Sequence, residues 1–233
     1  MTAPGCGRPA DCPVPDPPGP VDARRIGSTV WPADRAFFHV YELHRGCDEF
    51  NPGRGDSRFA PIGRPTTVPT LYGGADETVA LLESVFHDVT AGAGDRVVYP
   101  DVLRDRGLAH LVSPRPLRLV DLRDEALARL GLGRPQLVAT TPEHYACTRA
   151  WGEWLHARAP GGRPADGLVW ISRQAELTGR PGGEVFVLWG DRAPSKIDSY
   201  ALVGPGVRNL VEGPGRVLVE EIAESLDALV VPG

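Results

Sequence analysis

The sequence contains only one lysine, Lys196, and no run of 18 or more consecutive apolar residues. Because a membrane-spanning helix needs such a run, no span is predicted. The first residues also lack the basic flank and apolar stretch of a signal peptide, so we expect a cytoplasmic protein. Lysine and arginine total 25 against 30 acidic residues, which gives a net charge of −5. Without a cluster of basic residues, we expect no direct binding to nucleic acid and none to a membrane.

Cysteine is also scarce, with Cys6, Cys12, Cys47 and Cys147 in the whole chain. No two of them have the two-residue spacing of a zinc knuckle or a redox pair. A metal site using His144 and Cys147 at positions i and i+3 of a helix is conceivable, but the sequence pattern offers no further ligands for it. We therefore expect reduced thiols and no bound metal.

Proline is abundant and unevenly distributed, with seven of the 24 prolines in residues 1–20. This stretch offers little that could be buried, which is typical of a solvated, partly polyproline segment. We predict a disordered tail over residues 1–25 and a single domain over residues 26–233. Deleting residues 1–20 should then hardly change thermal stability.

Strand patterns outnumber helical ones. Aromatic and branched residues at 37–43 predict a strand, and the continuous apolar run at 185–189 predicts a strand buried on both faces. Further strands are predicted at 68–72, 108–112, 117–120, 168–171, 200–203, 208–211 and 217–219. Because the pattern lacks regular βαβ alternation, we predict the α+β class, with a mixed or antiparallel sheet core and flanking helices.

The clearest helical periodicity begins at Asp76, a suitable N-cap, and continues to residue 89. A second helix is predicted from 142 with Thr141 as N-cap, and shorter ones at 123–130 and 220–229. Residues 50–70 are rich in glycine, proline, asparagine and aspartate, which predicts a loop. A loop of this length inside a domain often has a function of its own.

Glu83 lies on the edge of the apolar stripe of the helix that begins at Asp76. A buried carboxylate is costly unless it is paired, so Glu83 pairs with a cation, lines a cleft or leans into solvent. Arg58, in the preceding loop, is a candidate partner, and its guanidinium fork also suits phosphate. The sequence contains no GxGxxG, Walker, GxSxG or HExxH motif, which argues against those enzyme classes.

Four segments in order resemble the RES domain, which is the toxin half of RES–Xre toxin–antitoxin pairs and is named for an arginine, a glutamate and a serine. They are FHVYEL, FNPGRGDSRF, VPTLYGGADETVALLES and DGLVWISRQ. The resemblance covers residues 36 to 190. The residues that match the family's motifs are Arg58-Phe59, Leu71-Tyr72, Ala80-Leu81-Leu82-Glu83, Asp166-Gly167 and Ser172.

Two departures from the family pattern bear on substrate contact. His39 stands where the family usually has arginine on the first strand, and Phe59-Ala60 replaces Trp-Asn. The family resembles ADP-ribosyltransferases of the diphtheria-toxin type, in which a histidine on the first strand, a tyrosine and a glutamate hold NAD. His39 is therefore either a substitute that bonds a ribose hydroxyl or carbonyl, or a core histidine satisfied within the protein.

The resemblance implies an ADP-ribosyltransferase-like fold and cleavage of the nicotinamide–ribose bond of NAD, by hydrolysis or phosphorolysis. Glu83 would stabilise the developing sugar cation, Tyr72 would contact the nicotinamide ring and Arg58 would neutralise the pyrophosphate. NAD is thus expected as substrate, without a metal. The residues expected to bind it are His39, Tyr41, Arg58, Tyr72 and Ser172.

The resemblance also implies a protein partner, an antitoxin with an Xre-type region. The oligomeric state stays open, with a homodimer as one option. Two other functions remain open as well. The first is transfer of ADP-ribose to a protein or small-molecule acceptor, and the second is a catalytically inactive module that binds NAD.

Overall fold

A computed structural model describes residues 5–7, 9–19, 25–63, 65–87, 89, 96–196 and 199–231. Eight strands form one sheet in the order β1-β6-β7-β8-β3-β2-β5-β9, and β10 pairs with β4 in a small parallel ribbon. Within the large sheet only the β6–β7 pair is parallel. The strands are β1 (Ser28–Trp31), β2 (Phe37–Glu42), β3 (Thr70–Gly74), β4 (Val97–Val98), β5 (Arg106–Val112), β6 (Leu117–Asp121), β7 (Gly167–Ile171), β8 (Glu184–Trp189), β9 (Ala201–Asn209) and β10 (Leu229–Val230).

Helices flank this sheet, so the predicted α+β class with a mixed sheet is confirmed. None of the helices in the described ranges combines the length and the hydropathy that crossing a bilayer requires. They are α1 (Glu77–Leu82), α2 (Pro100–Leu103), α3 (Asp124–Arg129), α4 (Arg134–Leu137), α5 (Tyr145–His156), α6 (Arg173–Leu177) and α7 (Gly213–Ser225), with short 3-10 turns at Pro9–Asp11, Pro142–His144 and Pro160–Gly162.

Strand β8 runs through the centre of the molecule, and both of its faces are buried, as predicted. Val185, Val187 and Trp189 pack into one hydrophobic cluster with the helices. Phe186 and Leu188 pack into a second cluster on the opposite face. Since successive side chains of a strand point to opposite faces, a continuous apolar run is what two cores on either side of the sheet require.

The helix that begins at Asp76 is shorter than the sequence predicts. Asp76 is its N-cap, because its carboxylate accepts a 2.8 Å hydrogen bond from the backbone N–H of Val79. The helix ends at Leu82, however, and residues 83–86 form turns. The hydroxyl of Ser84 donates a 2.6 Å hydrogen bond to the carbonyl of Ala80, a local bond of the kind that competes with helix continuation.

The strand predicted at 217–219 is wrong, because these residues lie in α7. The helix buries Leu218, Val219 and Ile222, positions that share one face at helical spacing. Branched residues fit strands and amphipathic helices alike over three positions, and here tertiary burial decides. The two strands predicted at 200–203 and 208–211 are replaced by the single long strand β9.

The described residues of the proline-rich segment contact the domain at a few points, although most of their side chains are exposed. Val14 is 4 % exposed and belongs to the main core cluster. The carbonyl oxygens of Pro15 and Pro18 accept 2.7 Å hydrogen bonds from the indole nitrogens of two α5 side chains, Trp151 and Trp154. A proline has no N–H to satisfy but keeps its acceptor, so such a segment can bind indole donors. The domain boundary near residue 26 stays a prediction.

Candidate active site

A cavity of about 470 Å³ opens beside strands β2 and β3, whose ladder consists of the single pair Phe38–Gly74. A second cavity of about 510 Å³ lies next to it. Tyr72 and Arg106 line both cavities, so the two form adjoining parts of one cleft. The first is lined by Glu83 and Arg58, and the second by His39 and Tyr41. All the sequence-predicted residues except Ser172 therefore line this cleft.

Helix α1 carries Glu83 to the cavity as its C-cap residue. The helix approaches β3 closely, since a Cβ atom on Gly74 would lie 2.7 Å from the backbone nitrogen of Ala80. Glycine at this position therefore permits the short turn from β3 into α1. The packing of α1 against β3 consequently fixes the backbone position of Glu83.

Ser172 holds the Glu83 carboxylate. Its hydroxyl, which is 0 % exposed, donates a 2.6 Å hydrogen bond to Oε1 of Glu83 and accepts one from the backbone N–H of Ala175 as the N-cap of α6. The two residues are 89 positions apart in the chain. Among the described residues, the second oxygen of Glu83, Oε2, has no hydrogen-bond partner, so it is the atom left to face a ligand in the cavity.

Arg58 is 8 % exposed, and one of its terminal nitrogens, Nη1, donates to the carbonyl and to the hydroxyl of Thr140, at 2.8 and 2.7 Å. Its guanidinium carbon lies 5.3 Å from the ring centre of Tyr145. Within the described ranges no carboxylate pairs with Arg58, so the predicted pairing with Glu83 is not observed. A guanidinium that is oriented but not neutralised suits an anionic ligand.

Tyr72 presents its ring to the cavity while its hydroxyl anchors the loop that carries Arg58. The hydroxyl accepts a 3.2 Å hydrogen bond from the backbone N–H of Phe59 and lies 2.8 Å from the hydroxyl oxygen of Ser57. Ser57 in turn donates to the carbonyl of Ala60 at 3.0 Å. Burial raises the pKa of Tyr72 to about 12, so the phenol stays neutral at physiological pH. Because the hydroxyl is engaged with the loop, the ring is the part of Tyr72 that remains to line the cavity.

His39 bridges the gap between β2 and β3. Its Nδ1 donates a 2.7 Å hydrogen bond to the backbone carbonyl of Tyr72, which can only accept. Desolvation lowers the pKa of His39 to about 4, so the ring is neutral at physiological pH and Nε2 is a hydrogen-bond acceptor. Tyr41 lies beside it with a ring-centre distance of 6.1 Å, and burial raises its pKa. Both residues border the second cavity.

No sequence pattern predicts a role for Arg106, although it lines both cavities. It begins β5, opposite Glu42 of β2, and its guanidinium has no ion pair among the described residues. The chain is so rich in arginine that one more at a strand end carries no signal of its own. Only the sheet order, which puts β5 beside β2, brings Arg106 to the cleft.

Comparison with known proteins decides the family. The profile of the RES domain matches residues 24–205. The chain belongs to the RES domain family. A chain in the crystal structure of the M. tuberculosis MbcT–MbcA toxin–antitoxin complex is similar in structure, with a TM-score of 0.56 and 16 % sequence identity over 87 % of this chain and 96 % of that one. A search of curated proteins found no match.

In this RES domain, Phe59 takes a structural position where the family usually has tryptophan. It is 0 % exposed and packs edge-on against Trp170 of β7 with ring centres 5.1 Å apart. The smaller aromatic is therefore accommodated by the core behind the cleft. The family's arginine on the first strand is replaced by the neutral His39, and the neighbouring strand β5 brings in the cation of Arg106.

Replacing Ser172 by alanine should lower the turnover of a reaction that depends on the Glu83 carboxylate by about tenfold to a hundredfold, because Glu83 loses the group that orients it. The stability loss should be about 1 kcal/mol, the usual cost of an N-cap. Steady-state kinetics should place the loss in kcat and not in KM. Thr178→Ala is the matched control, since Thr178 hydrogen-bonds the carbonyl of Ala175 from the other end of α6 and does not touch Glu83. Equal losses of turnover in both variants would contradict a positioning role.

His39 makes stability depend on pH. Its pKa is about 4 in the folded protein and about 6.5 in the unfolded chain, so the unfolded chain binds more protons between these values and stability rises with pH there. From pH 7 to pH 5 the contribution of His39 falls by about 2 kcal/mol. Urea unfolding at both pH values should show a smaller pH effect in His39→Gln. His110 and His156, whose pKa values are also lowered, remain in both proteins. An unchanged pH effect would contradict the buried neutral histidine.

Proposed function

We propose that this RES domain is the toxin of a toxin–antitoxin pair and that it cleaves the nicotinamide–ribose bond of NAD. One observation carries the proposal. A carboxylate held by a buried serine lines the same cavity as two arginines that have no carboxylate partner among the described residues. NAD carries a positive charge on its glycosidic nitrogen and, beyond the ribose, negative charges on its pyrophosphate. A site that binds NAD therefore needs a negatively charged part and a positively charged part.

Glu83 is assigned the role of stabilising the sugar cation. When the bond between C1′ and the pyridinium nitrogen breaks, its electron pair goes to nicotinamide, which leaves neutral and needs no general acid. The ribose becomes oxocarbenium-like, and the unpaired Oε2 of Glu83 is available to face that charge. Water or phosphate then forms the new bond to C1′. The water proton passes to solvent or to the Glu83 carboxylate.

The arginines are assigned to the pyrophosphate. Arg58 is oriented by Thr140, and Arg106 comes from the strand next to β2. Two guanidinium groups match the two phosphates better than one does. Arg106 also supplies a permanent positive charge, which His39 lacks at the position where the family usually has arginine. Nε2 of His39 can accept a hydrogen bond from a ribose hydroxyl.

The proposed partner is an Xre-type antitoxin that blocks the cleft. The structural neighbour comes from a toxin–antitoxin complex, which supports this assignment. Operator binding would then belong to the antitoxin, since the chain has a net charge of −5.

Induced expression in a bacterial host tests the cellular function. Wild-type protein should deplete the total pool of NAD and NADH before growth stops. At equal expression, Glu83→Gln should cause neither the depletion nor the growth arrest. Growth arrest with an unchanged NAD pool would contradict NAD as the toxic target. Label from NAD appearing on a macromolecule, with no free ADP-ribose product, would replace the proposal by ADP-ribosyl transfer.

A further inference from the structure

Two cysteines and one histidine meet at the start of α5, and a third cysteine contacts one of the two. The Sγ atoms of Cys6 and Cys12 and a ring nitrogen of His144 all lie within 4.8 Å of one another. Sγ of Cys6 is 3.6 Å from Nδ1 of His144, and Sγ of Cys12 is 3.6 Å from Sγ of Cys147. The described part of the proline-rich segment thus brings the thiols of Cys6 and Cys12 close to His144 and Cys147. The sequence pattern offered this pair no further ligands.

The two 3.6 Å distances are close to the edges of a tetrahedral zinc site, whereas Cys147 contacts Cys12 but lies outside the group of three within 4.8 Å. With Zn–S bonds of about 2.3 Å and Zn–N bonds of about 2.0–2.1 Å, two sulfurs are about 3.8 Å apart and a sulfur and a nitrogen about 3.5 Å. A disulfide would instead need about 2.0 Å between sulfurs. The observed 3.6 Å separations therefore agree with shared coordination and not with a disulfide between Cys12 and Cys147.

We propose that Cys6, Cys12 and His144 bind a structural zinc ion and that Cys147, which contacts Cys12, supplies the fourth ligand of a Cys₃His site. Three thiolates and one imidazole are the donor set of closed structural zinc sites, and thiolates select zinc over magnesium or calcium. Four protein ligands leave no open position for a catalytic water. The proposal replaces the expectation, drawn from cysteine spacing alone, that the chain binds no metal.

The position of the cluster gives the metal a structural role. It ties the proline-rich segment to the first turn of α5, next to the 2.8 Å backbone hydrogen bond from Gly7 to the carbonyl of Glu143. The same helix supplies Tyr145 to the cavity, and the hydroxyl of Thr148 donates to the carbonyl of Arg58 at 2.5 Å. Zinc therefore fixes one wall of the cleft without touching the ligand, and this conclusion does not depend on what the cleft binds.

Elemental analysis of full-length protein, purified without a metal-affinity column, tests the site. Wild type should contain about one zinc ion per chain, as expected for one closed structural site. Cys12→Ser and Cys147→Ser should lose most of this zinc. Cys47→Ser is the matched control, because Cys47 packs in the second hydrophobic cluster, and it should keep its zinc. Equal zinc content in all four proteins would overturn the assignment of the ligands.

Two measurements on the wild type keep the test independent of variant folding. A strong chelator should lower the melting temperature, and added zinc should restore it. Cobalt(II) in place of zinc should give the intense visible absorption of a tetrahedral thiolate site. Purified protein that contains no zinc, shows no response to added zinc and gives no such cobalt spectrum would overturn the proposal. A mass lower by two hydrogens would then identify a disulfide in its place.

Discussion

Replacing Glu83 by glutamine is expected to slow nicotinamide release from NAD by a factor of about 100 or more, since oriented charges of this kind are typically worth that much. Glutamine keeps the size of the side chain and an oxygen that can accept the hydrogen bond of Ser172. It removes the negative charge on Oε2, and the sugar cation then forms without a counter-charge. The fold should be retained, which circular dichroism and the melting temperature can verify.

The matched control for this variant is Glu77→Gln. Glu77 begins the same helix, but it forms an ion pair with Arg208 and is not among the residues that line the two cavities. Its replacement should leave turnover essentially unchanged. Near-normal turnover in Glu83→Gln would remove Glu83 from the mechanism, and a parallel loss in Glu77→Gln would show that the helix as a whole, and not its terminal carboxylate, is being disturbed.

Deletion of residues 1–19 is expected to lower the melting temperature by about 6–12 °C, because about 3 kcal/mol of stabilisation is lost and each kcal/mol shifts the midpoint by about 2–4 °C in a chain of this size. Burial of one valine contributes about 1.5–3 kcal/mol. The two indole hydrogen bonds contribute about 0.5–1 kcal/mol each. Differential scanning calorimetry measures the shift.

A point substitution separates packing from metal binding in this segment. Val14→Asp places a charge at a position that is 4 % exposed and leaves all cysteines in place. Val30→Asp is its control, because Val30 is 57 % exposed on β1. Val14→Asp should destabilise the protein and Val30→Asp should not. An unchanged melting temperature after deletion of residues 1–19 would mean that the segment does not dock in solution.

Local patterns predicted the parts of the fold that local rules govern. The apolar run of β8 and the capping aspartate at 76 each express a short-range requirement, burial on both faces and a satisfied helix terminus. Both are confirmed, and the α+β class follows from the balance of such elements. The sequence indicates Glu83 as a candidate site residue because a carboxylate on an apolar stripe is costly. In the structure, a hydrogen bond from Ser172, 89 positions away in the chain, offsets part of that cost.

The remaining features depend on long-range contacts that no local pattern contains. The proline-rich segment resembles a solvated tail until α5 offers indole donors to its carbonyls. Cysteine spacing alone argues against a metal site. The docked proline-rich segment, however, places Cys6 and Cys12 close to His144. Arg106 carries no motif and reaches the cleft only because β5 pairs with β2. In each case the residues are visible in the sequence, but only the sheet order or the docking of a segment shows which of them lie together.

The most direct test of the account is proton NMR of NAD incubated with purified protein, with and without phosphate. We expect free nicotinamide to appear in at least one condition and to be nearly absent with Glu83→Gln. Release in both conditions would identify a glycohydrolase, and release only with phosphate a phosphorylase. NAD that binds but stays intact in both conditions would contradict the proposed cleavage and leave a binding module or a transferase that lacks its acceptor.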